Sequence, residues 1–238
     1  MVAASFYPRR ISQYVPSMQY AAEVNLGDPY ILELGAPLAL DADGILAAGV
    51  MVNGSAVTFN TFTSGLGTAT LIGSYGKVPV TSLTAWPDKW GRNVTVVASA
   101  ANARTLTVTG YDYLGQKMIE VLTINGTTTV QGLKAFAWIE SLVASSDTDT
   151  TTINVGWGNK FGLPFKSQMM TFEIKNGVIA ANAGTFVGAV TTDPQTSTTG
   201  DPRGTYLPVT VLPDGTNTFK LGLILERSNL HGVRHYSG

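Results

Sequence analysis

Short strand-like segments separated by Asn-Gly and Asp-Gly pairs constrain the fold of this chain more than any other feature. The four pairs are Asn53-Gly54, Asn125-Gly126, Asn176-Gly177 and Asp214-Gly215. These residue types tolerate the positive φ angles of a type I′ turn, whose twist matches that of the strands it connects. Four β-hairpins are therefore predicted, and hairpins of this kind build antiparallel sheets.

Alternation of apolar and polar residues between the turns also predicts strands. Residues 170–175 alternate in this way, and 219–225 give the clearest buried face. The run 118–124 is apolar at almost every position except Glu120, which predicts a central strand covered on both faces. Segment 133–142 fits either a short helix or a strand, and its alternation favours the strand.

These strands and turns recur about every ten residues, a spacing typical of sandwiches and barrels. The predicted fold is all-β, an antiparallel β-sandwich with a jelly-roll-like core. We assign residues 37–226 to this domain, with a sub-domain break near 165–170. An extended N-terminal arm (1–36) precedes the domain, and a polar C-terminal tail (227–238) follows it.

The arm combines three prolines with five aromatic residues. Proline blocks ladder pairing, and scattered aromatic side chains favour burial, so the arm is predicted to lie on another surface. An arm packed on its own domain is the alternative. The predicted interface residues are Phe6, Tyr7, Arg9, Arg10, Tyr14 and Tyr20 in the arm, and Trp86 and Trp90 in a later loop.

Composition narrows the classes of partner. The net charge is −1 and only 13% of residues are charged, which gives no basis for nucleic-acid binding. No apolar stretch reaches the roughly 18 residues of a membrane helix, so no membrane partner is expected. The weakly charged surface suits a protein packed against neighbours, although β-rich extracellular proteins share this composition.

The sequence offers no convincing catalytic site. There is no cysteine, and the two histidines, His231 and His235, lack a metal-binding pattern. Glu120, Glu140, Glu173 and Asp112 are candidate glycosidase carboxylates, but no spacing rule singles out a pair. We therefore predict that the protein is not an enzyme and binds no cofactor or metal.

Several segments between residues 91 and 165 follow one another in an informative order. They are Arg104–Gly110, Asp112, Gly115, Glu120–Ile124, Asn125-Gly126, Lys134–Phe136 and Val155–Pro164. In this order they resemble a pattern found in many virion proteins of tailed bacteriophages. The resemblance covers about a third of the chain and brings no catalytic residues.

The resemblance implies a capsid decoration or cement protein on the exterior of the virion, with the major capsid protein as its partner. It also implies a homo-oligomer, a trimer rather than a dimer, because decoration proteins commonly occupy local three-fold positions. Two alternatives remain open. One is another virion component, such as a tail, neck or fibre-attachment protein. The other is a carbohydrate-binding β-sandwich module or a polysaccharide-degrading β enzyme, for which Trp86 and Trp90 would form a sugar platform.

Overall fold

The computed structural model describes residues 28–50, 56–57, 90–100, 103–145 and 151–225. In this part of the chain there is no helix, and every regular element is a β-strand. The strands are β1 (Asp28–Gly35), β2 (Asp41–Val50), β3 (Ala56–Val57), β4 (Arg92–Ala98), β5 (Ala103–Tyr111), β6 (Lys117–Asn125), β7 (Val130–Phe136), β8 (Trp138–Ala144), β9 (Thr152–Gly162), β10 (Ser167–Lys175), β11 (Val178–Ile179), β12 (Thr185–Gly188), β13 (Gly204–Leu207) and β14 (Phe219–Leu225).

The strands form three antiparallel sheets. Sheet A has the order β1-β14-β10-β11, and sheet C has the order β3-β8-β5-β6. Sheet B has the order β12-β13-β9-β4-β7, and β2 also pairs with β9. The predicted all-β, antiparallel, sandwich-like fold is confirmed.

Two apolar cores lie between the sheets. The first core is filled by side chains of sheets B and C, with Val94, Leu106 and Val155 fully buried. The second core joins sheet A to the far end of β9, where Phe161 packs near Phe219 in the same cluster. Strand β9 contributes to both cores and is therefore the element that connects the two halves of the molecule.

One of the predicted hairpins is confirmed. Asn176 and Gly177 have φ angles of 52° and 79°, and they connect β10 to β11 as a two-residue turn with both residues at positive φ.

Two other hairpin predictions are wrong. The turn at Asn125-Gly126 leads from β6 in sheet C to β7 in sheet B, and Asp214-Gly215 lies between β13 in sheet B and β14 in sheet A. Turn chemistry fixes the local backbone, but the cores decide which strands pair. Asn53-Gly54 lies outside the described residues.

The predicted central position of 118–124 is also wrong. This segment forms most of β6, which is the last strand of sheet C. Met118, Glu120, Leu122 and Ile124 are buried on the face that meets the first core, whereas Ile119 and Val121 on the other face are half-buried. The open edge of β6 is covered by a loop, at Pro194 and Ser197, rather than by a neighbouring strand.

Strand β10 forms as predicted, but its polar residues point inward. Glu173 and Lys175 are buried beneath the sheet, and Phe172 is partly exposed on the outside. The Glu173 carboxylate accepts hydrogen bonds from the Tyr206 hydroxyl and from the Gly184 N–H, and it lies 3.0 Å from Lys175 Nζ. A buried carboxylate is tolerated because these partners compensate it. Segment 133–142 is extended, as its alternation predicts.

The domain boundary at residue 36 is displaced by β1. This strand lies within the predicted arm 1–36, yet it pairs with β14 over the register Asp28–Leu225 to Gly35–Phe219. Leu32 and Leu34 are buried in the second core, which explains why the sheet begins here. Residues 1–27 and 226–238 lie outside the described residues. Near the predicted break at 165–170, the chain passes from sheet B to sheet A.

A close approach between β2 and β9 yields a stability prediction. A Cβ at Gly156 would clash with the Asp41 carbonyl oxygen and lie 2.5 Å from the Ala42 carbonyl carbon. We expect Gly156→Ala to lower the free energy of unfolding by about 1–3 kcal/mol, since the backbone of β2 must move. Gly188→Ala is the control, because its nearest neighbour is 3.8 Å away. Chemical denaturation of both variants checks this, and equal effects would contradict it.

Candidate interaction surface and its buried support

The outward face of sheet A is the most distinctive exposed surface in the described part of the molecule. In β14, the side chains of Phe219, Leu221, Leu223 and Leu225 point into the second core. The intervening Lys220, Gly222 and Ile224 therefore point outward, because successive residues of a strand face opposite sides. No described element covers this side of the sheet.

Register extends this face across the neighbouring strands. Residues that pair directly in an antiparallel ladder share a face. The outward face of sheet A therefore consists of Pro29, Ile31 and Glu33 of β1, Lys220, Gly222 and Ile224 of β14, Met169, Phe172 and Ile174 of β10, and Ile179 of β11. Three of its apolar members are strongly exposed, with fractions of 59% for Ile31, 51% for Met169 and 71% for Ile179, whereas Ile174 and Ile224 are half-buried.

Two local contacts shape the middle of this face. The ring of Phe172 lies over Gly222, where a Cβ would clash with the ring. Lys220 Nζ lies 2.7 Å from Glu33 Oε1, so the two charges on the face neutralise each other. The result is an apolar, electrically neutral surface, which favours contact with another protein over contact with a polyanion.

Beneath the other half of the molecule lies a buried set of charged residues, which we call the ionic network. Its members are Asp112, Glu120, Lys134, Lys160, Asp201 and Arg203. All except Lys160, which is partly exposed, are buried. The network fastens residues 189–203, the segment between β12 and β13, onto sheets B and C. We call this segment the strap.

Lys134 is the centre of this attachment. It is fully buried, and its Nζ donates hydrogen bonds to the carbonyl oxygens of Ile119 (2.6 Å), Pro194 (2.6 Å) and Thr196 (2.8 Å). All three ammonium protons therefore have acceptors. Burial lowers the pKa of Lys134, while the nearby carboxylates of Glu120 and Asp201 act in the opposite direction.

The strap also covers the open edge of β6. The N–H groups of Ile119 and Val121 donate to the carbonyl oxygens of Pro194 and Ser197, each at 3.1 Å. An edge strand presents unpaired N–H and C=O groups that can pair with another chain. The strap satisfies these donors within the molecule.

Glu120 gives the same protection to β7. Its Oε1 accepts the Leu133 N–H at 2.5 Å, and both oxygens lie 3.4 Å from the Lys134 nitrogen. Burial raises the pKa of Glu120, and these N–H donors oppose the rise. Gly132 is needed beside this carboxylate, since a Cβ there would lie 2.8 Å from Oε2.

Asp201 and Asp112 anchor the far end of the strap. Asp201 accepts N–H groups from Ala135 at 2.9 Å and from Arg203 at 2.8 Å, and burial raises the pKa of its carboxyl to about 7. Asp112 accepts Arg203 Nε at 2.6 Å and the N–H groups of Leu114 and Gln116 in the turn after β5. Both carboxylates thus have structural partners.

The ordered segments singled out between residues 91 and 165 serve this architecture. Asp112, Glu120 and Lys134 are network members, and Gly115 has a φ of 83° in the turn that Asp112 organises. In the segment 155–164, a Cβ at Gly162 would lie 2.6 Å from the Trp90 carbonyl oxygen. These segments therefore specify how sheets, turn and strap are joined.

The predicted interface residues are mostly outside the described part of the chain. This applies to Phe6, Tyr7, Arg9, Arg10, Tyr14, Tyr20 and Trp86. Trp90 is described, and it is not available as the predicted interface residue. It is buried in the second core, with its ring centroid 4.7 Å from that of Tyr113. It is therefore not part of an exposed sugar platform.

The four candidate glycosidase carboxylates all have hydrogen-bonding or ionic partners within the molecule. Glu120, Glu173 and Asp112 are buried and hold backbone or side-chain donors, while Glu140 forms an exposed ion pair with Lys117 at 2.8 Å. No cluster of three or more metal-binding side chains occurs among the residues that the structure describes.

Searches against protein-family models, curated proteins and solved structures found no match for this chain. Within the described ranges, no helix is long and apolar enough to cross a membrane.

The outward face of sheet A was not predicted from the sequence. The alternation of residues in β10 shows that the strand has two faces, but it does not show which face is buried. In the structure the more apolar face, with Phe172 and Ile174, points outward. A signal was present in Glu173 and Lys175, two residues apart on one face, which are able to pair beneath a sheet. Gly222 was a second signal, since a glycine within an apolar strand marks the close approach of another group.

Removal of the central ammonium tests the network. Lys134→Met leaves three carbonyl oxygens without their donor and Glu120 with less compensation, so we expect a loss of about 3–5 kcal/mol in unfolding free energy. We also expect faster amide exchange at Ile119 and Val121. Lys117→Met is the control, because its exposed pair contributes about 0–1 kcal/mol. Denaturation and hydrogen-exchange mass spectrometry measure both effects, and protected strap-facing amides in the Lys134 variant would contradict the role.

Asp201 provides a pH test. Its pKa is about 7 in the folded protein and 3.8 in its ordinary state, so between these values the folded state binds more protons than the unfolded state. Its contribution to stability is therefore complete below pH 4 and declines as pH rises toward 7, with a slope of at most about 1.4 kcal/mol per pH unit.

Asp201→Asn should abolish this component of the pH dependence while lowering stability overall, because its single amide oxygen cannot replace two carboxylate oxygens that accept the N–H groups of Ala135, Arg203 and Gly204. Unfolding free energies of both proteins at several pH values between 4 and 7 provide the measurement. Parallel curves for the two proteins would contradict the assignment.

Proposed function

We propose that this protein is a structural virion protein that binds the outer surface of a phage capsid and stabilises it, as a decoration or cement protein. The observation that carries the proposal is the outward face of sheet A, an apolar and neutral surface that no described element covers. The ordered resemblance to phage virion proteins supplies the identity of the partner, the major capsid protein.

The size of this face bears on how the protein would bind. Four strands spaced about 4.8 Å apart, with seven residues of about 3.3 Å in β14, give a face of about 400 Å². A stable interface buries about 800 Å² per partner. The face is therefore one part of a larger contact, which the predicted arm residues and the predicted homo-oligomer, a trimer rather than a dimer, would complete.

A non-enzymatic role is consistent with the way the buried charges are used. The described ionic groups join strands, turn and strap, and they would support a rigid body that binds without moving parts. A rigid partner loses little conformational entropy on docking, which favours affinity. Binding only to the assembled capsid would stabilise that capsid by mass action.

Charge placed on the outward face should weaken capsid binding. In Met169→Lys/Ile179→Lys both substituted side chains are already largely exposed, so stability should change little, whereas burying two ammonium groups at an interface is costly. We expect at least about a tenfold loss of affinity, equivalent to about 1.4 kcal/mol. Co-sedimentation with parent capsids that lack the protein is the measurement.

Val187→Lys is the matched control, because Val187 is 48% exposed but lies in sheet B. Full binding by the double variant would overturn the role of this face. If, in addition, a chain lacking residues 1–20 fails to bind, the contact is made through the arm. If all these variants and the wild type fail to bind, the capsid proposal itself is wrong.

A further inference from the structure

The described sheets end in strands whose outer edges are protected in different ways. The edges of β6 and β7 are covered by the strap and by Glu120 and Asp201. Strands β3 and β11 have two residues each and β12 has four, so they offer little to a partner. The long β2 is interrupted by two register irregularities against β9. Short, covered or bulged edges are the usual protections against pairing with another chain.

Strand β1 differs from all of these. It has eight residues, and within the described part of the chain its only ladder is the one with β14. Pro29 stands near one end, and a register shift between Glu33 and Gly35 marks the other. Both features limit pairing, so the regular open window is four or five residues long and is centred on Ile31.

Some backbone N–H and C=O groups of this window point away from β14, toward the open edge of β1. Pro29 pairs with Ile224 although it has no N–H, and a proline is tolerated in a ladder where its nitrogen faces away from the neighbouring strand. Hydrogen-bonding direction alternates along an antiparallel strand. The N–H and C=O groups of Ile31 therefore face the open edge, where a second strand can reach them.

We propose that this edge binds the same edge of a second copy of the chain, as an antiparallel β1–β1 pair about a two-fold axis at Ile31. In this register Ile31 lies opposite its counterpart, Tyr30 lies opposite Leu32, and Pro29 lies opposite Glu33. The pair joins two copies of sheet A into one eight-stranded sheet. The contact goes beyond the proposed capsid role and does not depend on it.

Charge and exposure favour a second copy over an unrelated strand. The pairing places two Ile31 side chains, each 59% exposed, against each other across the axis. The two Glu33 carboxylates are kept apart by four residues, about 13 Å along the strand, and each remains beside its own Lys220. The register is therefore self-complementary, as an isologous contact requires.

An edge contact of this size is smaller than the roughly 1,200 Å² of a specific stable interface, so the dimer is expected to be weak in dilute solution. Cross-linking captures such a contact, and the chain helps because it has no cysteine of its own. In Ile31→Cys the two thiols would be carried by directly opposite residues, whose Cα atoms lie about 4.5–5.5 Å apart in such ladders. A disulfide accepts that separation.

The experiment compares three single-cysteine proteins at equal concentration under a mild oxidant, with folding checked by circular dichroism. We expect Ile31→Cys to form a disulfide-linked dimer about tenfold faster than the controls, because pairing raises the effective concentration of its thiols. One control, Glu33→Cys, lies on the same strand and face but about 13 Å from its counterpart. The other, Ile179→Cys, lies at the opposite edge of sheet A and is more exposed.

A mixture of Pro29→Cys and Glu33→Cys tests the register, because these positions face each other only across the axis at Ile31. Cross-linking of this mixture at a rate well above that of either protein alone supports the proposal. Equal rates for Ile31→Cys and Ile179→Cys would overturn it. These assays use the free protein, so their failure is distinct from a failure of capsid binding.

Discussion

The ammonium group of Lys134 is the interaction on which much of the architecture depends. It brings carbonyl oxygens from β6 and from two positions of the strap to a single buried point. A buried charge is costly unless every hydrogen-bonding position is satisfied and opposite charges lie near. Both conditions are met here only when the strap is in place, so the strap, β6 and β7 stabilise one another.

This dependence explains how a chain without cysteine can hold a long loop against a sheet edge. The strap is polar and rich in threonine, and apolar burial alone would not fix it. Asp201 and Arg203 fasten its end to β7 and to the turn after β5, which ties the strap to the first core. The ordered segments between residues 91 and 165 contain several of these positions, so their residues have a structural role within one molecule.

Sequence reasoning found the fold class and many strands because both depend on local signals. Alternation identified β10 and β14, and the positive-φ preference of Asn176-Gly177 identified its hairpin. Which strands pair with one another was harder to predict from the sequence. The Asn125-Gly126 turn carries the same local signal, yet its two strands enter different sheets, which face each other across the first core. Likewise, the apolar sequence of β6 predicts a central strand, but β6 is the last strand of sheet C. Its open edge is covered by Pro194 and Ser197, which lie more than seventy positions downstream and are not visible in the local pattern.

The same limit explains why the outward face of sheet A was missed. Burial of Glu173 depends on Tyr206 and Gly184, which pattern within β10 cannot reveal, and the inward carboxylate leaves Phe172 on the surface. In β10 the molecule thus places its charged side chains inside, where Glu173 and Lys175 pair, and leaves apolar side chains of this strand outside. The edges of β6 and β7 are covered by the strap and by the carboxylates of Glu120 and Asp201, whereas the edge of β1 is not covered by any described residue. This contrast is the reason for proposing the β1 edge, which lies beside that face, as a contact surface. An all-β protein with one such region gains stability when a neighbouring molecule covers that region.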